Sequence, residues 1–244
     1  MPQRDVIRRN HLRTAMDAGK LAKGFHMNFS APSMIEQLGN LPFEFVYLDA
    51  EHGCFELADI VQSCMAAELC DLSVVCRVPR TDPNLISQYL NAGVQTIIVP
   101  HVSTRAEAEA AVDACFMEPI GHRPNGGSRS NRFWHAVEDL ETAMAEVNTN
   151  TVLAVQLESV ESIDNLDEIL EVKGIDFFII GKADLSQSLG FPRLKKGFHD
   201  RVQEIVKTTE LKIRASGRLM KDDVIKVERV RNFAVQGARQ FLEK

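Results

Sequence analysis

Short runs of apolar and β-branched residues recur along the chain and alternate with longer stretches in which apolar positions return every three or four residues. The first pattern is that of strands buried on both faces, the second that of amphipathic helices, and their alternation predicts βα units around a parallel sheet. Eight units can be read, with strands over residues 24–27, 45–49, 73–78, 96–99, 152–157, 177–180, 211–214 and 232–235. Helical segments fall between them: in 85–92 the apolar Leu85, Ile86, Leu90 and Ala92 alternate with polar positions, and 106–115 is alanine-rich. Ahead of the first strand, 6–17 places Ile7, Leu12 and Met16 at helical spacing, as in an N-terminal helix that packs beneath a barrel. Eight βα units in about 250 residues is the size of a (β/α)8 TIM barrel. No Pro/Gly/Ser-rich linker divides the chain, so residues 1–244 are expected to form one α/β domain.

Composition narrows the partners. With 45% hydrophobic and 25% charged residues, the 244-residue chain can bury a substantial core. Its net charge of −6 offers no general attraction for nucleic acid or an anionic membrane. No apolar run approaches the roughly 20 residues of a membrane span, and Met1-Pro2-Gln3-Arg4-Asp5 lacks the apolar region of a secretion signal. The five cysteines, at 54, 64, 70, 76 and 115, form no CxxC pair. They read as reduced thiols of a cytoplasmic protein rather than as a disulfide framework or a zinc cluster.

One segment breaks the regularity. Residues 117–134 carry three glycines, two prolines and the basic residues Arg123, Arg129 and Arg132. A loop this long in a compact domain is usually functional or mobile. Its guanidinium groups could meet a carboxylate or phosphate, or simply be solvated.

In a parallel barrel the chemistry gathers where strands end, so the informative residues are polar ones that terminate apolar runs. Five places qualify: Asp49-Ala50-Glu51-His52-Gly53, Arg77, Pro100-His101, Gln156-Leu157-Glu158 and Gly181-Lys182-Ala183-Asp184. Glu158 and Asp184 follow adjacent strands, and two carboxylates converging there would need a cation or a shared proton. Hard oxygen ligands favour Mg²⁺ or Mn²⁺, with Co²⁺ a third candidate; the plainer alternative is two unrelated helix caps. His52 could serve as a base oriented by Asp49 or Glu51, or sit in a turn bonded to its own backbone. Arg77 follows Val74-Val75-Cys76; inside a barrel it would need an anion, a substrate oxygen or Glu51, unless it lies exposed at the strand terminus.

Taken in order, five motifs resemble those of the HpcH/HpaI aldolase family of metal-dependent class II pyruvate aldolases. They are Phe45-Val46-Tyr47-Leu48-Asp49-Ala50-Glu51-His52-Gly53, Val75-Cys76-Arg77-Val78-Pro79, Ala92-Gly93-Val94-Gln95 leading to Ile98-Val99-Pro100, Val155-Gln156-Leu157-Glu158-Ser159, and Ile180-Gly181-Lys182-Ala183-Asp184-Leu185-Ser186. The likeness runs from about residue 12 to 190. It implies cleavage or formation of 4-hydroxy-2-oxo acids from a small 2-oxo acid and an aldehyde. Glu158 and Asp184 would hold the metal, Arg77 would stabilise the enolate oxygen, His52 would move a proton through a water, and Asp49 would complete the catalytic group. Gln156 would orient the 2-oxo acid, and backbone amides of Gly181, Lys182, Ala183 and Asp184 would take its carboxylate. The resemblance also implies a homo-oligomer, a hexamer in its members.

The chain departs from the family pattern at Lys182, where relatives carry Pro, and at Asn91, where they carry an Asp that supports the histidine. Lys182 raises a rival chemistry, a metal-free class I aldolase acting through a Schiff base. Two other rivals are a citrate-synthase-like condensation of a CoA thioester, with the basic loop binding its nucleotide, and a barrel that has lost catalysis and only binds.

Overall fold

The computed structural model describes residues 7–135, 137–191 and 197–243. Eight parallel strands form one sheet: β1 (Ala22–Met27), β2 (Phe45–Asp49), β3 (Ser73–Arg77), β4 (Thr96–Val99), β5 (Val152–Leu157), β6 (Phe177–Ile180), β7 (Leu219–Met220) and β8 (Ile225–Arg229). Their lateral order is β7-β6-β5-β4-β3-β2-β1-β8. Successive strands therefore neighbour one another and β8 returns beside β1, leaving the open edge between β7 and β8. The four-residue helix Lys221–Val224 joins those two strands and also touches β6.

Alternation along each strand sorts side chains into two layers. One set, which includes Ala22, Phe45, Tyr47, Val75, Ile98, Val152, Ala154, Phe177 and Ile225, packs into a cluster enclosed by the curled sheet. The other, including Phe25, Met27, Val46, Leu48, Val74, Cys76, Ile97, Leu153, Val155 and Phe178, faces the surrounding helices in the larger core. The enclosed layer leaves no room at Gly24, where a Cβ would lie 2.5 Å from carbons of the Phe45 ring. The N-terminal helix His11–Asp17, capped by the Asn10 side chain on the Leu12 amide, sends Leu12 and Ala15 into the same inner cluster. Residue 6 of the expected segment lies outside the described residues.

The first six strands form where the apolar runs place them, within a residue or two at their ends, but the last two do not. Residues 211–214 belong to the helix Asp200–Ala215, whose buried Val202, Val206, Thr209 and Ile213 recur at helical spacing. Residues 232–235 lie in the helix Val230–Leu242. The true β8 reads Ile-Lys-Val-Glu-Arg, a strand whose alternate positions are charged and so form no apolar run, and β7 is only two residues long. No helix of the described residues is long and apolar enough to cross a membrane.

Candidate active site

The inward rows of four strands end in polar side chains at one rim of the sheet. On β1 the row Ala22, Gly24 ends in His26, and on β2 Phe45, Tyr47 ends in Asp49; on β3 Ser73, Val75 ends in Arg77, and on β5 Val152, Ala154 ends in Gln156, with Glu158 two residues on. Register brings them together, because Asp49 pairs with Arg77, His26 with Tyr47 and Gln156 with Ile179.

Arg77 is the centre of this group. Its Nε and Nη2 donate to Asp49 Oδ1 at 3.0 and 2.9 Å, and Nη2 also donates to Asp49 Oδ2 at 2.7 Å. Nη1 donates to Gln156 Oε1 at 3.4 Å and lies 2.8 Å from Glu51 Oε2. A planar fork gripped in this way has one orientation. His26 Nε2 lies 3.3 Å from Asp49 Oδ2, its ring stacked on Tyr47 at 4.7 Å. Burial by itself would raise the Asp49 carboxyl; hydrogen bonds from His26 and Arg77, the Arg77 charge and the His52 amide overcome it and hold the group well below the usual carboxylate range.

A second cluster adjoins the first. The Gln156 amide donates to Glu158 Oε2, which fixes the amide between Arg77 and the carboxylate. His101 bridges two acids, with Nε2 2.9 Å from Glu51 Oε1 and Nδ1 3.0 Å from Glu158 Oε1, and its backbone amide donates to Glu158 Oε1 at 2.9 Å. That geometry requires a left-handed backbone at His101, φ 57°, which a non-glycine residue adopts at some cost. Burial raises the Glu158 carboxyl above its ordinary value despite the Gln156 and His101 hydrogen bonds, and the Glu51 charge adds to the rise. A buried carboxylate so under-compensated, beside a second acid, is a site that a cation would stabilise. Glu51, His101 and Glu158 bring ligand atoms within 4.8 Å of one another.

The other residues singled out from the sequence fall around these two clusters. Gly181 ends β6 against them: a Cβ there would collide with Glu158 Oε2 and stand 2.9 Å from Gln156 Nε2. Its N–H is spent on Leu157 O, so the amides left for an incoming carboxylate are those of Lys182, Ala183 and Asp184 in the first turn of the helix Lys182–Ser188. Asp184 is half-buried in that turn and lies outside the Glu51–His101–Glu158 group. His52 is exposed at the mouth, with its amide on Asp49 Oδ1 and its Nε2 4.0 Å from Glu51 Oε2. The Lys182 side chain turns to Glu210, 3.8 Å away, and is half exposed.

Sequence reasoning missed His26, which obeys the same inward rule as Asp49 and Arg77 but sits inside a strand rather than after one. It placed His101 at a strand end without a role, since only the unusual backbone carries that ring to the acids.

The basic loop is not free. Arg123 is buried, 4% exposed, donating to Asn91 Oδ1 at 3.0 Å and Ser130 Oγ at 2.9 Å, while Arg129 pairs with Glu68. The 3-10 turn Arg129–Trp134 packs on the helices Pro83–Ala92 and Leu140–Asn150. Burial pushes the Arg123 guanidinium down to about 10, because its partners are neutral. Asn91→Asp, which supplies a carboxylate to this cation, is expected to stabilise the protein by about 1 kcal/mol, read as a higher urea midpoint at unchanged slope. Equal or lower stability would show that the neutral pair already satisfies Arg123.

The comparisons bear on this rim. A sequence profile of the HpcH/HpaI aldolase/citrate lyase family matches residues 23–243. The 2-keto-3-deoxy-L-rhamnonate aldolase of Escherichia coli is 35% identical over 211 residues, 86% of this chain and 77% of the relative. An HpcH/HpaI aldolase/citrate lyase family protein from Burkholderia cenocepacia superposes with a TM-score of 0.84 at 24% identity, over 96% of this chain and 98% of the other. The citrate synthase SbnG superposes at 0.76 with 27% identity, over 93% and 86%. The profile match spans β1 to the last helix and takes in every side chain of both clusters, and the chain belongs to the HpcH/HpaI aldolase/citrate lyase family.

Proposed function

We propose that this protein is a metal-dependent carbon–carbon lyase that cleaves or forms 4-hydroxy-2-oxo acids at the rim built by Asp49, Arg77, Gln156 and Glu158. The observation that carries the reading is Arg77, held by a bidentate Asp49 and sharing Gln156 with a buried, under-compensated Glu158. Glu158 and Asp184 would hold a divalent cation, Mg²⁺ or Mn²⁺, which supplies a Lewis acid for the oxygens of the 2-oxo acid. Arg77 presents its fixed guanidinium to the negative charge that develops on the 2-oxo oxygen as the bond between C3 and C4 breaks. Gln156 orients that oxygen, and the first-turn amides of Lys182 to Asp184 take the carboxylate. His52, at the mouth beside Glu51, takes the proton of the 4-hydroxyl. Asp49, with its oxygens engaged by Arg77 and His26, acts by holding Arg77 in place.

Lys182 is not used as a nucleophile in this reading, because its amine lies 3.8 Å from Glu210 and the residue does not line the cavity that holds Arg77, Gln156 and Gly181. A thioester substrate finds little support, since the loop expected to bind its nucleotide has Arg123 buried and Arg129 paired. The curled sheet is read as a (β/α)8 barrel closed at its β7–β8 seam by Lys221–Val224. A cytoplasmic homo-oligomer, hexameric as the resemblance implies, fits the helix Val230–Leu242, which leaves Phe241 and Leu242 78% and 81% exposed.

The test separates the ligand sets by metal binding and turnover together. With 4-hydroxy-2-oxo acids, pyruvate release should disappear with EDTA and return with Mg²⁺ or Mn²⁺. Glu158→Gln and Asp184→Asn should each weaken Mn²⁺ binding, measured by electron paramagnetic resonance, by about ten-fold or more, with His101→Ala changing it little. Weakened binding with His101→Ala and Glu158→Gln but not with Asp184→Asn would move the cation to Glu51, His101 and Glu158, and EDTA-insensitive turnover trapped by borohydride would overturn the metal altogether.

A further inference from the structure

The cavity at the rim is larger than a three-carbon 2-oxo acid requires. It measures about 420 Å³, and its lining includes Arg77, Gln156 and Gly181 together with Lys221 and Arg229. These last two come from the end of the sheet least legible in the sequence. Lys221 directly follows β7 and Arg229 ends β8, so both project at the strand ends that carry Asp49 and Arg77; the register sets Arg229 beside His26.

Their charges differ in kind from that of Arg77. Arg77 is neutralised by Asp49 and Glu51, whereas neither Lys221 nor Arg229 is in an ion pair among the described residues. The acids nearby do not answer them. Glu228 also lines this cavity, but it forms no ion pair with either cation among the described residues, and its Oε1 accepts from the Arg229 amide and from Asn232 Nδ2, each at 2.7 Å; Asp222 is exposed and lines the adjoining cavity rather than this one. Burial pushes the Lys221 ammonium below its ordinary value, with Asp222 opposing and Arg229, Arg77 and Lys182 adding to the fall. Arg229 also lines a neighbouring cavity of about 280 Å³ with Asp49 and His52, so it stands where a chain leaving the rim would pass.

Two unpaired cations in one cavity are arranged for an anion. Resting on the lyase reading, we infer that Lys221 and Arg229 form a subsite for a second anionic group of the substrate, so that the preferred 2-oxo acid carries a carboxylate or phosphate at the end remote from its 2-oxo head. The head stays with Arg77, Gln156 and the first-turn amides, and the far end reaches the two cations.

Binding of unreactive ligands tests this independently of turnover. In calorimetric titration of the Mg²⁺-loaded protein, 2-oxoglutarate should bind about ten-fold tighter than 2-oxopentanoate, which has the same length and a neutral tail. The 2-oxo-4-phosphonobutyrate arm decides which anion is preferred. Lys221→Met and Arg229→Gln should each remove most of that advantage while leaving 2-oxopentanoate within about two-fold of its wild-type affinity. Equal affinity for charged and neutral tails, no binding of either, or an advantage that survives both substitutions overturns the subsite. A charged-tail advantage in a protein that cleaves no 4-hydroxy-2-oxo acid would overturn the lyase reading and leave the subsite standing.

Discussion

Arg77→Met is expected to reduce turnover by about 10²–10³-fold and to destabilise the fold by about 3–5 kcal/mol, because it strands buried carboxylates that the guanidinium now neutralises. The pH dependence distinguishes this cause from simple loss of packing. In the wild type the Asp49 carboxyl is held below its unfolded value, which is about 4, so the unfolded chain binds the extra proton and stability rises with pH through that window. The contribution is fully present above the unfolded value and is lost as pH falls through the folded one. Without Arg77, burial dominates and the carboxyl moves above its unfolded value, so the variant loses stability as pH rises. The deficit should therefore be largest near neutral pH and shrink toward pH of about 4. Urea unfolding of both proteins at several pH values measures it, and a deficit independent of pH would mean that Arg77 contributes by packing alone. Arg77→Lys should recover much of the stability by restoring a charge, yet little of the turnover, since an ammonium cannot reproduce the fork that binds Asp49 and Gln156 together.

The legibility of this site has a geometrical basis. Strands β2 to β6 are buried on both faces, so they appear as unbroken apolar runs, and the first polar residue in an inward position marks the rim. Asp49, Arg77 and Gln156 could be found in this way, and the expected pairing of Arg77 with Glu51 is present at 2.8 Å. His26 follows the same spacing, but β1 has an exposed lysine and a glycine that interrupt its apolar run. His101 reaches the acids through φ 57°, which no residue pattern announces. At the far end, alternate charged residues in β8 and a two-residue β7 left nothing for an apolar-run criterion to detect, and the amphipathic helices beside them carried the apolar residues instead. Lys182 illustrates a different limit. Its sequence distance from Asp184 suggests proximity to the site, but it opens a helical turn, where residues two apart face different directions, and its amine goes to Glu210.

Gly181→Ala should abolish turnover, about 10³-fold or more, through one methyl group. Gly181 has an ordinary φ of −78°, so alanine meets no backbone strain; what it meets is Glu158, whose Cβ would be 2.6 Å away and whose Oε2 would be in collision. The carboxylate must rotate away, taking with it the Gln156 amide that links it to Arg77, and both clusters lose their register. Because the close atoms include the carboxylate end of Glu158 and the amide end of Gln156, which borders the rim cavity, part of the overpacking can relax, and the stability cost should stay near about 1–2 kcal/mol. Gly24→Ala provides the contrast. The same methyl there meets the Phe45 ring inside the closed inner layer, where neither neighbour has space to move. It should cost about 3 kcal/mol or more while the fraction that remains folded keeps its kcat and its Mn²⁺ affinity. Measuring urea stability, kcat and Mn²⁺ binding for both variants separates a glycine that makes room for the site from one that makes room for the core. If Gly181→Ala retained Mn²⁺ affinity and turnover, Glu158 would not be held at the position from which it is argued to act.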